Sequence, residues 1–264
     1  MHPFNYRNPK SVAEAAAALA EGGDVRLLAG GQSLIAAMKL RLSAPTDLID
    51  LGGIGELTGI RVDGAGITVG AMTRHAEVAR SKEVQAKIPA LASLAGSIGD
   101  RMVRNMGTIG GSLAHNDPVA DYPAAVLGLN ATVHTNKRNI AADDFFTGMF
   151  ETALQTGEII VSVSFPVPRR AAYVKFRNPA SRYAIVGVMA AASASGVRVA
   201  VTGAASCVFR VGAMEQALAA KWSPDALAGI SVPADQLNSD MHASAEYRAH
   251  LITVMARRAV EAAK

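Results

Sequence analysis

The hydrophobic and polar positions of this chain divide it into three stretches that differ in periodicity. Residues 1–53 alternate helical spacing with short apolar runs that are typical of buried strands. Residues 54–168 open with a hairpin pattern and continue into helical segments rich in Ala and Leu. Residues 169–264 place three strand patterns before three helical patterns. The pattern predicts three units of mixed helix and strand, with boundaries near Gly53 and in the Pro-rich linker 166–170.

The first stretch is predicted to deliver a pair of glycines between a strand and a helix. Its expected elements are helices over 12–20 and 33–40 and short strands over 25–29 and 47–51. Ser11 is expected to cap the first helix, with Glu14 as its capping-box partner. The glycines at 30 and 31 follow the first strand directly, and this order of strand, loop and helix is typical of phosphate-binding sites.

Three further glycines, at 64, 66 and 70, superficially resemble a dinucleotide-binding fingerprint. They fall in a hairpin predicted over 59–71, where no helix follows to receive a pyrophosphate, so a Rossmann fold is excluded. The remaining predicted helices cover 74–80 (capped by Thr73), 89–98, 117–129, 212–221, 223–228 and 246–263, and the remaining strands cover 131–135, 158–165, 172–176, 185–191 and 197–201.

Composition narrows the class of protein. No apolar run approaches the ~18 to 20 residues of a membrane span, and the N-terminus lacks a secretory signal pattern, so a cytoplasmic protein is expected. A net charge of +4 with dispersed basic residues favours an anionic cofactor over a nucleic-acid groove. Cys207 is the single cysteine, which cannot hold an iron–sulfur cluster alone, so any metal centre is expected on another chain.

Two segments repeat the same pattern of an apolar run, paired glycines and a polar residue. We call residues 28–35 the first glycine segment and residues 108–112 the second. Paired glycines let a ligand approach the backbone, and amide N–H groups turned the same way form an anion-binding nest. Either segment alone is typical of an ordinary turn. Together they predict a clamp for a pyrophosphate.

Several neighbouring residues remain open to two interpretations. Asp121 is as consistent with an acceptor for sugar hydroxyls as with a charge that favours a helix start. His115 is more typical of a hydrogen-bonding loop residue than of a base, and Arg101 and Arg104 either meet an anion or partner chain or are solvated. The sequence lacks the Walker Lys-Ser/Thr, His-Glu-x-x-His and nucleophile-elbow motifs. We therefore assign no catalytic or metal-ligating residue and expect a bound cofactor to carry the chemistry.

The segments Ala-Gly-Gly-Gln-Ser at 29–33 and Thr-Ile-Gly-Gly-Ser at 108–112, with Asp117-Pro118 and Asp121, carry a specific resemblance. The chain resembles the FAD-binding medium subunits of molybdenum hydroxylases, in particular the aerobic carbon monoxide dehydrogenase type. The resemblance implies an α+β protein: two FAD-binding subdomains of the vanillyl-alcohol-oxidase type, then a C-terminal domain with a three-stranded sheet and a helical bundle. The corresponding bounds are 1–53, 54–168 and 169–264.

The same resemblance implies the cofactor contacts. Both glycine segments would wrap the FAD pyrophosphate through Leu28, Ala29, Gly30, Gly31, Gln32, Ser33, Leu34, Ile35, Thr108, Ile109, Gly110, Gly111 and Ser112. Ile98 would lie near the flavin and Asp121 near the ribityl chain. Backbone at Ile160 would border the ring, Lys175 would approach its polar edge, and Tyr183 would lie at its face.

The implied function is electron transfer within a complex. The chain would accept electrons from [2Fe-2S] clusters of a small subunit and pass them to an external acceptor, while a large molybdenum-cofactor subunit oxidises the substrate, the whole forming a dimer of heterotrimers. One alternative is a freestanding FAD-dependent oxidase or reductase of the same fold, which should add a substrate-covering domain. A second is a nucleotide-binding regulatory module without electron transfer. Bound flavin in the purified chain would exclude the last.

Overall fold

The structure is a computed structural model that describes residues 1–64 and 66–264. Ala65, in the predicted hairpin turn, lies outside the described residues. Within them, helices and sheets form the expected α+β arrangement, and each predicted element, except the helix over 117–129, lies within two residues of its expected bounds. The structure also contains short elements that the pattern did not predict.

The N-terminal unit is a small parallel sheet covered by helices. It contains β1 (Asn5–Arg7), α1 (Val12–Ala20), β2 (Val25–Leu28), α2 (Leu34–Lys39) and β3 (Asp47–Asp50). The strand order is β1-β3-β2, and both pairs are parallel. In a parallel sheet the carboxyl ends of the strands share one edge, so β2 delivers the first glycine segment to the edge where ligands bind in such sheets.

The start of α1 confirms the cap and corrects the capping box. The Ser11 hydroxyl accepts a hydrogen bond from the Glu14 amide at 3.2 Å, as predicted. The Glu14 carboxylate instead accepts from the amide of Lys10, one residue before the cap, so the reciprocal half of the box is absent here.

The second unit is an antiparallel sheet with helices on one side. It contains β4 (Ile60–Val62), β5 (Gly66–Gly70), α3 (His75–Arg80), α4 (Lys82–Lys87), α5 (Pro89–Ser97), α6 (Arg101–Met106), α7 (Ile109–His115), α8 (Tyr122–Gly128), β6 (Thr132–Thr135), β7 (Asn139–Ala141), α9 (Ala142–Phe145), β8 (Phe146–Gly148), β9 (Glu151–Thr152) and β10 (Ile160–Pro166). The main sheet runs β4-β5-β10-β6-β7, and β8 and β9 form a separate hairpin. Side chains of β5, β10 and α5 form the largest core.

Two helix starts in this unit differ from the prediction. Thr73 does not cap α3, because its hydroxyl bonds the amide and carbonyl of Gly59, at 2.9 and 3.0 Å. The helix expected from residue 117 begins only at Tyr122. Asp117 closes a turn instead: its carboxylate accepts from the amide of Val119 at 3.0 Å.

The C-terminal unit packs a sheet against helices. It contains β11 (Arg170–Arg177), β12 (Ala184–Ser193), β13 (Gly196–Thr202), β14 (Phe209–Arg210), α10 (Gly212–Ala220), a 3-10 turn (Pro224–Leu227) and α11 (Ala245–Ala262). The sheet is antiparallel in sequence order, and the two-residue β14 adds a fourth strand to the three expected. Helix α11 covers the sheet and completes a second core. Along the described chain, no helix is both long and apolar enough to cross a membrane.

The C-terminal sheet docks on the second unit through α8. Met189 of β12 and Ala200 of β13 belong to the core of the second unit. The Thr202 hydroxyl also donates to the carbonyl of Ala120 at 2.7 Å, immediately before α8. This docking brings β11 against Asp121, the residue that precedes α8.

Candidate functional site: a cofactor cleft

A cleft of about 540 Å³ lies where the N-terminal unit meets the second unit. Ligand pockets in proteins typically occupy ~300 to 1,000 Å³. The lining residues are Arg26, Leu27, Gly30, Gly31, Gln32, Ser33, Leu34, Ala37, Ser43, His75, Ile98, Val103, Gly107, Thr108, Gly111, Ser112, Ala114, His115, Asp117, Ala120, Asp121 and Tyr183.

The first glycine segment presents free backbone donors to the cleft. Gly31 has a φ of +70°, a conformation that favours glycine. Among the residues that the structure describes, none accepts a hydrogen bond from the amides of Gly31, Gln32 or Ser33. The Ser33 hydroxyl makes no capping bond either. Three successive amides at the start of α2 are therefore without intramolecular acceptors, which is consistent with the anion-binding segment that the sequence predicts here.

The second glycine segment differs from the predicted loop, because its glycines lie in the first turn of α7. Its amides already have acceptors: Gly110 donates to the Ala71 carbonyl at 2.8 Å, and Gly111 donates to the Thr108 hydroxyl at 3.2 Å. The prediction of a second, equivalent amide nest was therefore wrong. This segment offers the cleft a bare backbone surface at Gly111 and the hydroxyl of Ser112.

The first glycine segment packs against the second segment and the two residues that precede it. A Cβ built on Gly30 would lie 2.1 Å from the Met106 carbonyl oxygen and 2.8 Å from the Gly107 Cα. A Cβ built on Gly111 would lie 3.2 Å from the Ala29 Cβ. The absence of a side chain at Gly30 is what allows this approach, because no real Cβ tolerates such a contact.

Asp121 lies in the cleft wall, and its carboxyl group has a raised pKa. It is 3% exposed, and its carboxylate accepts a hydrogen bond from the Tyr173 hydroxyl at 2.5 Å. The Lys175 ammonium lies 3.0 Å from each of the two carboxylate oxygens. Burial raises the pKa of Asp121, and the charge of Lys175 opposes that rise. Asp121 thus lines the cleft as part of a buried, polar group of three side chains.

The structure brings most of the predicted cofactor residues to this cleft. Eleven of them line it: Gly30, Gly31, Gln32, Ser33, Leu34, Ile98, Thr108, Gly111, Ser112, Asp121 and Tyr183. Seven lie behind the lining: Leu28, Ala29, Ile35, Ile109, Gly110, Ile160 and Lys175. Ile109 is fully buried, Ile160 is paired with Thr135 in the sheet, and Lys175 is held against Asp121.

Two residues that the sequence left open now have defined positions. The Arg104 guanidinium donates through Nη1 to the carbonyls of Ile98 and Gly99, at 2.9 and 3.3 Å. His115 lines the cleft and packs its ring against Phe150, with the ring centroids 5.1 Å apart.

His75 is a cleft residue that the sequence analysis missed. It is 5% exposed, contacts the Tyr122 ring and has no hydrogen-bond partner for Nδ1 among the described residues. Burial, assisted by the positive charge of Arg104, lowers the pKa of His75 to about 4, so the imidazole is neutral at pH 7. No motif surrounds it in the sequence; its position depends on α3 packing beside Gly107.

The cleft and the fold together define a flavoprotein domain. The residues fit a dinucleotide cofactor: amides without intramolecular acceptors would meet its diphosphate, bare glycine backbone would permit its approach, and the Asp121 carboxylate would meet its sugar hydroxyls. A family model described as the FAD binding domain in molybdopterin dehydrogenase matches residues 2–168, and the chain belongs to this family. FAD is accordingly its cofactor.

Relatives of known activity match along almost the entire chain. It is 37% identical to the carbon monoxide dehydrogenase medium chain of Hydrogenophaga pseudoflava, covering 98% of this chain and 96% of the relative. It is 36% identical to the nicotine 6-hydroxylase medium subunit of Paenarthrobacter nicotinovorans, covering 97% and 96%.

The structure of this chain also matches a solved structure of a relative. The carbon monoxide dehydrogenase of Hydrogenophaga pseudoflava, in a form that lacks the Mo-pyranopterin moiety of its cofactor, superposes with a TM-score of 0.88 at 36% identity. The superposition covers 99% of this chain and 98% of that one. The chain is thus an FAD-binding protein of the molybdenum hydroxylase family, of the medium-subunit type.

Proposed function

We propose that this chain relays electrons through FAD between a partner subunit and an external acceptor. FAD, when bound, supplies the redox chemistry. The observation that carries the proposal is a cofactor cleft in a chain whose described residues include no candidate metal site. Cys207 is the single cysteine, and the described residues contain no group of three or more His, Cys, Asp or Glu side chains that could hold a metal ion. Iron–sulfur clusters need several thiolates, so any cluster that feeds electrons to this FAD would lie on another chain.

The partners proposed are a small [2Fe-2S] subunit and a large molybdenum-cofactor subunit, assembled as a dimer of heterotrimers. The names of the relatives support this, because they are medium chains or medium subunits of a dehydrogenase and a hydroxylase. A related complex is a carbon monoxide dehydrogenase that contains copper and molybdenum.

Within the chain, we assign the pyrophosphate to the two glycine segments and the flavin end to the side of the cleft that contains Ile98, Asp121 and Tyr183. The free amides of residues 31–33 would hold the phosphate charge. The divisions at 53 and 168 would separate two FAD-binding subdomains from the C-terminal domain, and the cleft lies across the first division.

The test is to tag the chain in its native host and identify what copurifies. Recovery of a cysteine-rich iron–sulfur subunit and a large molybdenum subunit, with substrate-dependent reduction of the flavin, is expected. The isolated chain should bind FAD but oxidise no substrate. A chain recovered alone, with full oxidase turnover, would contradict the relay and favour a freestanding flavoenzyme.

A further inference from the structure

The buried side of the cleft wall holds a tyrosine whose hydroxyl points at the carboxylate of Asp121. We propose that Tyr173 is a positioning residue that fixes the Asp121 carboxylate for contact with bound FAD. The inference rests on the proposed cofactor site, because Asp121 is assigned there as a ligand to the cofactor. Tyr173 itself does not line the cleft.

The register of β11 places two partners on one carboxylate. Tyr173 and Lys175 are two residues apart on this strand, so their side chains leave the same face of the sheet. Both reach Asp121, at 2.5 and 3.0 Å. The sheet therefore supplies a charge and a hydroxyl to the one buried acid of the cleft wall.

The two partners differ in what they contribute. The Lys175 ammonium donates a hydrogen bond to Oδ2 at 3.0 Å and lies 3.0 Å from Oδ1, so it balances the charge of Asp121. The Tyr173 hydroxyl donates to Oδ1 only. A carboxylate has about four lone-pair sites. The tyrosine and the lysine thus each donate to one oxygen and together fix the rotation of the carboxyl group. The remaining lone pairs of both oxygens would be the acceptors for a ligand hydroxyl.

The neighbouring strand leaves room for this hydroxyl. A Cβ built on Gly187 of β12 would lie 2.2 Å from the Tyr173 hydroxyl oxygen and 2.9 Å from its ring carbon Cζ. Gly187 is paired with Lys175 in the sheet. Any side chain at position 187 would displace the hydroxyl from Asp121, which indicates that the glycine and the tyrosine act together.

A second buried tyrosine provides a matched control. Tyr122 follows Asp121 in the chain and is fully buried, yet its hydroxyl has no hydrogen-bond partner among the described residues. Replacing either tyrosine with phenylalanine removes one buried hydroxyl and keeps the ring. Only the change at Tyr173 removes a bond to Asp121.

The experiment is a titration of the full-length apo chain with FAD, followed by flavin fluorescence, for the native chain and both variants. Tyr173→Phe is expected to weaken FAD binding about tenfold, since a hydrogen bond to a charged group is lost. Tyr122→Phe should change the Kd by less than about twofold. Equal Kd values for the native and Tyr173→Phe chains would overturn the inference.

A double-mutant cycle shows whether Tyr173 acts through Asp121. In an Asp121→Asn chain, Tyr173→Phe should weaken FAD binding by less than about twofold; the same tenfold loss in both backgrounds would assign Tyr173 a merely structural role. If the Asp121→Asn chain binds FAD too weakly to titrate, the rise in Tm that FAD causes is measured instead. This rise should be smaller for Tyr173→Phe than for Tyr122→Phe, and equal rises would refute the inference. A native chain that binds no FAD would instead contradict the proposed cofactor site itself.

Discussion

Replacing Gly30 with alanine should lower stability and FAD affinity more than the same change at a glycine with free space around its Cα. The added Cβ would lie 2.1 Å from the Met106 carbonyl oxygen, where ordinary contacts begin at 3.4 Å. The first glycine segment and the backbone of Met106, just before the second segment, must therefore separate by about 1.3 Å, the difference between these distances. Both sides of the contact are backbone, so no side-chain rotation relieves it. Overpacking of this kind costs about 1 to 3 kcal/mol.

The expected result is a Tm lower by about 2 to 4 °C for each kcal/mol and an FAD affinity lower by about a hundredfold, because a shift of about 1 Å in positioning groups has effects of that size. Differential scanning fluorimetry and flavin fluorescence measure the two quantities. Gly55→Ala is the matched control, since nothing lies within 4 Å of its Cβ. A Gly30→Ala chain with the Tm and FAD affinity of that control would refute the proposed contact between the segments.

Two other changes test the charges around the cleft. The depressed pKa of His75 means that the unfolded chain gains a proton as pH falls below 6.5, while the folded chain gains it only near pH 4. The free energy of unfolding should thus fall by up to about 3 kcal/mol across that window, and His75→Leu should remove this part of the pH dependence in urea titrations; an unchanged slope between pH 6.5 and 4.5 would contradict it. Lys175→Met leaves Asp121 without its counter-charge, so it should destabilise the fold by about 3 kcal/mol and lower the reduction potential of bound FAD. Adding Asp121→Asn to the Lys175→Met chain should restore the reduction potential of bound FAD, measured by spectroelectrochemical titration. A potential that neither change affects would place Asp121 and Lys175 away from the flavin.

The sequence predicted the N-terminal unit well because local signals there agree with the tertiary structure. Ser11 caps α1 as expected, and the glycine pair falls between β2 and α2. Gly31 adopts a positive φ, a conformation that glycine tolerates better than a residue such as Gln32 would. Where propensity, turn chemistry and fold coincide, a pattern in one sequence is sufficient.

Prediction failed where the same local signals serve tertiary contacts. The Thr73 hydroxyl bonds the backbone of Gly59 instead of capping α3. These two residues are 14 positions apart in the sequence and meet only in the folded chain. The sequence predicts a loop at the second segment because paired glycines are typical of turns and let a ligand approach the backbone. In the structure Gly110 packs against Ala71, where a Cβ would lie 2.6 Å from the Ala71 Cβ. The glycine serves close packing of a helix against a strand end, and its backbone amide is not free for a ligand.

The two glycine segments offer different polar groups to a ligand in the cleft. The first segment holds unpaired amides, whereas the amides of Gly110 and Gly111 are bonded within the protein. Anion binding should therefore depend mainly on residues 31–33, and the second segment should determine how close the ligand lies. At the opposite wall, Lys175 balances the Asp121 carboxylate, so that wall adds little net charge. A dinucleotide bound here would be attracted most strongly through its diphosphate and would be oriented by Asp121. This division is expected of a site that must hold a redox ring in a fixed position.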